Sequence, residues 1–497
     1  MRRGAAWSTV DVVINRALSF ALGVAVARLL TPDDFGVYAV ALVVHVIVVN
    51  VSELGVSSAL FRGDARDVDA AAPTVTTIAL TSSAVLGALM ALAAPVLSGL
   101  LGAPDATSTI QVMALTLPLA GVGAVPGALL RRNFRTDKLF VAGIANNLVS
   151  GVVVIALALA GLGPLALACS FVAGQVVSTA AILALAPVRP RPGWDPRQAR
   201  TLFRFGLPLA GANVLGFSIQ NVDYIVIGRM LGSTPLGLYM LAFNISGWPQ
   251  NVFSAVVRSV AVPAFARLQQ EGSDMAVQLA RALRLVSRVT FPACLLLAAL
   301  AHPLVVTVYG ARWAAGADAL VGLALFAATR TIMEVLSDFL LALGRTRAIL
   351  AVQVLWLPTL TVALVVFVGR FGIAGAGAAH AAVATFVVVP SFVLCVRRAG
   401  VPVLLVARAL LAPFCWAAGA SAAAWAVAAQ MPAPLLACLA GGAVGVVLAA
   451  LPYLPEAHRA VAGRKAISAP GGVPGDEPTA PRRRTRVRTR RARSRPA

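Results

Sequence analysis

Fourteen apolar runs divide the sequence, at 8–28, 35–60, 74–100, 108–130, 139–161, 164–186, 205–229, 236–265, 285–309, 317–343, 348–368, 373–396, 404–428 and 433–454. Each approaches the roughly 20 residues that an α-helix needs to cross a hydrocarbon core. The pattern therefore predicts an all-α, polytopic membrane protein. Between runs lie Gly102-Ala103-Pro104, Gly161-Leu162-Gly163-Pro164 and Met431-Pro432-Ala433-Pro434. Glycine supplies left-handed backbone and proline cannot continue a helix, so these read as tight connections.

The polar positions inside the runs are not scattered. In the eighth run Asn244, Gly247, Asn251, Ser254 and Arg258 recur at steps of three and four, which is one stripe on a helix. In the seventh, Asn213, Gly216, Gln220 and Asp223 are in phase. The first run places Ser8, Asp11, Asn15 and Ser19 on one face with Arg16 beside it, and the second carries His45, Ser52 and Glu53. An ionised side chain at mid-bilayer costs roughly 2.5–3.5 kcal/mol even on the insertion scale. These stripes thus face protein or a wet cavity.

Taken singly, each residue is explained as well by interhelical pairing (Asp11 with Arg16, Asp223 with Arg258) as by transport. Four wet faces on two equivalent helix pairs together favour a central cavity. Arg330, Glu334 and Asp338 in the tenth run are spaced to neutralise one another along one face. That is first a structural pattern, though it also fits a cavity lining. The lone histidines His45 and His380 read as hydrogen-bonded packing residues, and Asn146, Asn147 and Gln175 as bridges between helices.

A duplication organises the whole. Arg28-Leu29-Leu30-Thr31-Pro32-Asp33-Asp34-Phe35-Gly36-Val37-Tyr38 is echoed by Arg229 to Tyr239, with Arg28/Arg229, Leu30/Leu231, Gly36/Gly237 and Tyr38/Tyr239 each 201 positions apart. Pro95-Val96-Leu97…Gly102 is echoed by Pro303-Leu304-Val305…Gly310 at a spacing of 208. Two echoes in one order at nearly one offset predict a repeated six-helix unit. The expected division is an N-lobe over 1–186, a cytoplasmic linker over 187–204 and a C-lobe over 205–400. Two further helices follow over 401–457, then a tail over 458–497 whose Pro, Gly and Arg content predicts disorder.

Charge adds an orientation. The even-numbered loops hold twenty Lys and Arg residues, and the odd-numbered loops only Arg28, Arg229, Arg312 and Arg370. The positive-inside rule then puts both termini in the cytoplasm, and the lobes become parallel repeats about an axis along the membrane normal. The net charge of +22 would suggest nucleic acid in a soluble chain. Here only 12% of residues are charged and the mean hydropathy is +0.86, so topology explains the charge and no nucleic-acid partner is expected. Nine arginines between Arg482 and Arg495 fit contact with anionic lipid at the inner leaflet.

Other chemistry is thin. The five cysteines lie in apolar stretches without metal-ligand spacing, so no metal site is expected. No phosphate-binding G-x-x-x-x-G-K-[ST] occurs, which removes an ATP motor, and no cofactor is expected. Asp11, Asn15 and Arg16 interrupt the first run and argue against a cleaved signal. External loops are short, which disfavours a glycan polymerase or glycosyltransferase. Asp33-Asp34 sits at a hairpin where turn chemistry suffices.

Leu29 to Tyr38, followed by Glu53-Leu54-Gly55-Val56-Ser57-Ser58-Ala59-Leu60, resembles the polysaccharide exporters of the multidrug/oligosaccharidyl-lipid/polysaccharide superfamily, the Wzx-like flippase branch. Asp223-Tyr224-Ile225-Val226-Ile227-Gly228-Arg229…Gly237-Leu238-Tyr239, with Val262-Pro263-Ala264-Phe265, resembles that branch's second-lobe signature. The likeness covers about residues 5–400, and Glu53 stands where the branch usually has Asp. It implies a non-enzymatic flippase in the bacterial inner membrane, carrying polyprenyl-diphosphate-linked glycans by alternating access. The partners so implied are membrane lipid, H+ or Na+ as coupling ion, and polymerases or glycosyltransferases. A cation-coupled drug exporter of the same superfamily is the alternative. For a diphosphate cargo the binding candidates are Arg16, Arg258 and Arg330 with Asn15, Asn213, Gln220, Asn244 and Asn251. Asp11, Glu53, Asp223, Glu334 and Asp338 are the coupling or charge-balancing candidates.

Overall fold

The structure, a computed structural model, describes residues 20–52, 65–133, 135–186, 191–249 and 275–453. Among these residues the secondary structure is helical throughout. We number the helices α1 (Phe20–Leu29), α2 (Pro32–Ser52), α3 (Ala65–Leu100), α4 (Thr107–Ala114), α5 (Thr116–Arg132), α6 (Thr136–Leu159), α7 (Pro164–Leu185), α8 (Pro196–Leu231) and α9 (233–249). There follow α10 (Met275–Ala299), α11 (Ala301–Tyr309), α12 (Gly316–Ala342), α13 (Thr346–Val383), α14 (Val389–Arg397), α15 (Val403–Ala428) and α16 (Pro434–Ala450). Ten described stretches are long and apolar enough to cross a membrane, so the protein is a multi-pass membrane protein.

Local chemistry explains where the helices break. Pro118 has no N–H to offer the carbonyl of Ala114, and the fourth run divides at Leu115 into α4 and α5. The hydroxyl of Thr116 donates instead to the Met113 carbonyl at 2.6 Å. Gly372, at φ 57° and ψ −141°, interrupts α13 where the eleventh and twelfth runs part. Only glycine adopts that backbone without strain. Ahead of Pro390, residues Ala384–Val388 loosen into a π-helical turn.

Three helices start more than two turns before their apolar runs. α3 begins at Ala65, α8 at Pro196 and α10 at Met275. Hydropathy marks the part of a helix that meets hydrocarbon, not the turns that extend beyond it. α8 is fixed at its start by Asp195, whose carboxylate accepts the Arg197 N–H at 2.9 Å. The preceding strip is held to α3, where the Thr77 hydroxyl accepts the Gly193 N–H at 2.9 Å and Thr74 accepts that of Asp195 at 3.1 Å.

Residues through Ala449 make one compact unit. Its main core joins both halves of the duplication, with Val37, Val40, Ile227, Tyr239, Trp313 and Phe339 all buried in one cluster. α6 packs on α7, α10 against α15 and α12, and α12 against α13. Outward-facing positions are themselves apolar: Leu92, Val152, Val354, Val362, Leu439 and Val446 are exposed. In hydrocarbon that surface carries no penalty, whereas in water it would aggregate. The second unit begins at Ala450 and is described only as far as the short turn Leu451–Tyr453.

Candidate functional site

The duplicated segments meet. Helices α1–α2 and α8–α9 form two hairpins whose tips abut at one end of the bundle. A Cβ placed on Gly36 would run into the Ser233 carbonyl, and one on Gly237 into the Pro32 carbonyl. Gly36 and Gly237 are repeat counterparts, and so are Pro32 and Ser233. The contact is therefore reciprocal, as across a two-fold axis. Glycine is required here because two helix starts approach backbone to backbone.

The arginines are exchanged across the same axis. Arg28 of the first repeat donates to the carbonyls of Val308 at 2.9 Å and Thr307 at 2.7 Å, in the last turn of α11. Arg229 of the second donates to the Leu100 carbonyl at 2.8 Å, the last residue of α3. Leu100 and Val308 are counterparts at the spacing of the second echo. The last carbonyls of a helix lack intrahelical partners and carry partial negative charge, which a guanidinium satisfies. Each half thus closes the helix ends of the other.

Further bonds depart from the symmetry. Asp33 Oδ1 accepts the hydroxyls of Ser233 at 2.5 Å and Thr234 at 2.9 Å. Asp34 turns inward: its Oδ2 accepts the Thr31 N–H at 2.8 Å, and its own N–H donates to the Thr31 hydroxyl at 3.2 Å. That is a reciprocal capping box at the start of α2. The Trp313 indole donates to the Ala27 carbonyl at 2.9 Å and meets the edge of Phe35 at 5.0 Å. Arg312 reaches the carbonyls of Leu30 and Arg28.

One turn and a half from this junction lies a buried acid. Asp223 on α8 is 1% exposed. Its Oδ2 accepts the Tyr239 hydroxyl at 2.6 Å and lies 3.3 Å from His380 Nε2, and its Oδ1 accepts the Tyr224 N–H at 3.0 Å. Among the described residues the partners of Asp223 are Tyr239 of α9 and His380 of α13; Arg258, its partner in the sequence reading, lies outside them. His380, read from sequence as a packing residue, is a basic group beside this acid. Phe326 covers it at 4.8 Å between ring centres.

The remaining sequence candidates separate. Arg330 and Glu334 pair along α12 at 3.8 Å, each side chain about a third exposed. Asp338 lies two turns beyond Arg330 on the same helix. Asn244 turns back on its own helix, donating to the Met240 carbonyl at 2.9 Å. His45 lies 3.3 Å from the Thr116 hydroxyl and edge-on to Phe171, which fits its packing role. Asn213 and Gln220 lie within α8 on a stretch described by its backbone alone. Asp11, Asn15, Arg16, Glu53, Asn251 and Arg258 lie outside the described residues, as do the Glu53–Leu60 and Val262–Phe265 segments and the tail over 458–497.

Sequence reasoning missed the helix-capping role of Arg28 and Arg229 and the cross-repeat reach of Asp33. The signal for the arginines was present: both occupy the same place in the echo, and their acceptors occupy the same place in the second echo. Nothing in the sequence ties Asp33 to Ser233.

The chain is 27% identical over 315 residues to the succinoglycan biosynthesis transport protein ExoT of Rhizobium meliloti (strain 1021), covering 63% of each. It is 25% identical over 328 residues to the lipopolysaccharide biosynthesis protein WzxC of Escherichia coli (strain K12), covering 62% of this chain and 63% of that one. The chain thus spans a little under two thirds of the length of these relatives. In fold it is similar to the lipid II flippase MurJ in its inward closed conformation, with a TM-score of 0.73 at 15% identity over 90% of this chain and 98% of that one. Residues 25–318 match the family described as polysaccharide biosynthesis protein, more than half of the sequence, and the chain belongs to that family.

Proposed function

We propose that this protein is a flippase, moving polyprenyl-diphosphate-linked oligosaccharide or polysaccharide repeat units across the bacterial inner membrane by alternating access, for assembly of a cell-surface polymer. The observation that carries the reading is the reciprocal hairpin junction. A carrier must close one end of its cavity with contacts that can be undone. At the hairpin tips the two repeats meet through a backbone-to-backbone approach, two exchanged arginines and two hydroxyl bonds to Asp33, beside the apolar core in which Val37 and Val40 join Ile227 and Tyr239. The names of ExoT and WzxC, which refer to succinoglycan transport and lipopolysaccharide biosynthesis, support the cargo class.

In this reading the chain has fourteen transmembrane helices, with both termini in the cytoplasm and two parallel six-helix lobes ahead of two further helices. The junction then lies at the external face, and the cavity opens to the cytoplasm. Arg16, Arg258 and Arg330 meet the diphosphate. A buried anion left unpaired costs of order several kcal/mol, and arginine binds phosphate oxygens in pairs while staying charged. Asn15, Asn213, Gln220, Asn244 and Asn251 line the path. Asp11, Glu53, Asp223, Glu334 and Asp338 balance the charge of the empty cavity, and H+ or Na+ supplies the driving force. Polymerases and glycosyltransferases stand on either side of the step as partners.

The test is a depletion experiment with labelled glycan. Removing the protein traps lipid-linked glycan on the cytoplasmic leaflet, and restoring it with Arg258→Ala fails to release the block while Arg258→Lys releases part of it. Normal release by both Arg16→Ala and Arg258→Ala proteins, each inserted at wild-type levels, contradicts the cationic path.

A further inference from the structure

The buried cluster on the second repeat has no counterpart in the first. Counting back 201 positions, Tyr239 corresponds to Tyr38 but Asp223 to Leu22, which packs on Gly151 of α6. The acid therefore does not serve the shared architecture, because the first hairpin is built without it. Asp223 is nonetheless almost wholly buried, and His380 is 93% buried by its 7% side-chain exposure.

Both ring nitrogens of His380 lack a hydrogen-bond partner among the described residues, and so does the indole nitrogen of Trp356. Nε2 stands 3.3 Å from the Asp223 carboxylate without the alignment of a bond. Trp356 and His380 flank the same ring, Phe326. Buried polar atoms are nearly always satisfied, so the cluster holds unused hydrogen-bonding capacity next to a buried carboxylate.

We propose that Asp223, His380 and Tyr239 form the site that binds and releases the coupling proton. This rests on the flippase reading and names the regulation of its carrier cycle. With one proton on the pair, the carboxylate and imidazole are compensated, and a small rotation of the ring completes the Nε2–H···Oδ2 bond. With the proton gone, Asp223 keeps the Tyr239 hydroxyl and its neighbouring N–H, and the neutral imidazole, left with one N–H and no charge, faces the carboxylate without charge assistance. Proton binding thus tightens α13 onto the α8–α9 hairpin, and proton loss loosens it. The two arms of that hairpin are joined by the Tyr239–Asp223 bond. From Asp223 to Arg229, which caps α3 of the other repeat, is about 9 Å of helix. A change of charge at the base of the hairpin therefore acts on the contacts at its tip.

The chemistry favours a proton over an alkali ion. Hard cations are held by several oxygens at once, and among the described residues the cluster offers the Asp223 carboxylate and one hydroxyl, with a nitrogen as third group. Imidazole carries protons near neutral pH. Among the described residues the titratable groups nearest in sequence to the cluster on each surrounding element are few. α8 adds Tyr224, with Arg229 at the tip and Arg197, Arg200 and Arg204 at its far end. α12 carries the Arg330–Glu334 pair one turn beyond Phe326, then Asp338, with Asp318 at its start. α13 itself carries Arg347 and Arg370. α2, packed along α8, holds Asp33 and Asp34 at the tip, then Tyr38 and His45, the latter turned to Thr116 and Phe171. α3 has none between 72 and 100.

Two measurements on the full-length protein decide it. In proteoliposomes with a fluorescent polyprenyl-diphosphate oligosaccharide, wild-type protein accumulates the lipid under an imposed pH gradient and ignores a Na+ gradient at uniform pH. His380→Gln loses about tenfold or more of the gradient-driven accumulation yet equilibrates the lipid without a gradient at a rate near wild type, which a folding defect would not permit. Infrared difference spectra across a pH step carry a carboxyl band lost in Asp223→Asn and an imidazole band lost in His380→Gln. Accumulation that follows Na+, a wild-type pH response in His380→Gln, or spectra unchanged by both substitutions overturns the site. A protein that shows both bands but moves no labelled lipid keeps the proton site and sinks the flippase reading instead.

Discussion

The first hairpin and the second are copies that differ in what they bury. Both bring a glycine to the meeting point, Gly36 and Gly237, and both send an arginine to the other's helix ends, Arg28 and Arg229. Both place a tyrosine two residues after the glycine. Yet Asp33 faces its counterpart Thr234 across the junction and bonds to it, and Asp223 stands where the first repeat has Leu22. Positions that match between the repeats build the joint. Two acids, Asp33 and Asp223, stand at positions that differ. A duplicated carrier keeps its mechanics symmetric and departs from symmetry where one lobe must do something the other does not.

The largest effect expected from breaking the symmetric part is at the glycines. Gly237→Ala drives a methyl group into the Pro32 carbonyl, which cannot swing away as a side-chain tip would. Overpacking of this kind costs about 1–3 kcal/mol, enough to reduce the closed population by about tenfold or more. Flipping by Gly237→Ala and Gly36→Ala should fall by similar factors. Unequal losses would show that the two sides of the joint are not equivalent.

The asymmetric part is sharpened by a paired exchange. Leu22→Met keeps volume and apolarity and should cost less than about 1.5 kcal/mol, with transport near normal. Asp223→Leu, which makes the second hairpin resemble the first at that position, should insert normally but fail in gradient-driven transport. Equal tolerance of both would mean that the buried acid is dispensable.

Much of this architecture was legible in the sequence, for reasons that show why the rest was not. Span positions followed from hydropathy because a bilayer demands a fixed length of apolar helix. The gap between the eleventh and twelfth runs falls at Gly372, through glycine's backbone freedom, whereas the break that Pro118 makes at Leu115 lay hidden inside one continuous run. The early starts of α3, α8 and α10 escaped notice because the turns outside hydrocarbon have no hydropathic signature. The duplication identified the hairpins, but the exchange of arginines between them needs the three-dimensional neighbour, 280 residues away for Arg28 and Val308. His380 gave no sign of its partner, since a lone histidine in an apolar run looks the same whether it packs or pairs.

A smaller effect is expected from the arginines. Each makes exposed charge-assisted bonds to carbonyls that water can also reach, so Arg28→Ala or Arg229→Ala should weaken the closed state by about 1 kcal/mol. The two losses should match, and each lysine variant should recover part of its own. Asp33→Asn is smallest: the amide oxygen still accepts from Ser233 or Thr234, and only the charge assistance goes.

If the protein is the flippase proposed, the two hairpin tips part and rejoin in every transport cycle. The direct measurement places Asp33→Cys and Ser233→Cys together in a chain freed of its five native cysteines, Cys169, Cys294, Cys395, Cys415 and Cys438. The side chains at these positions are within 2.5 Å in the closed junction. Oxidation should link them in high yield and stop movement of labelled polyprenyl-diphosphate glycan in proteoliposomes, and reduction should restore it. Movement at the reduced rate in fully cross-linked protein would contradict the account.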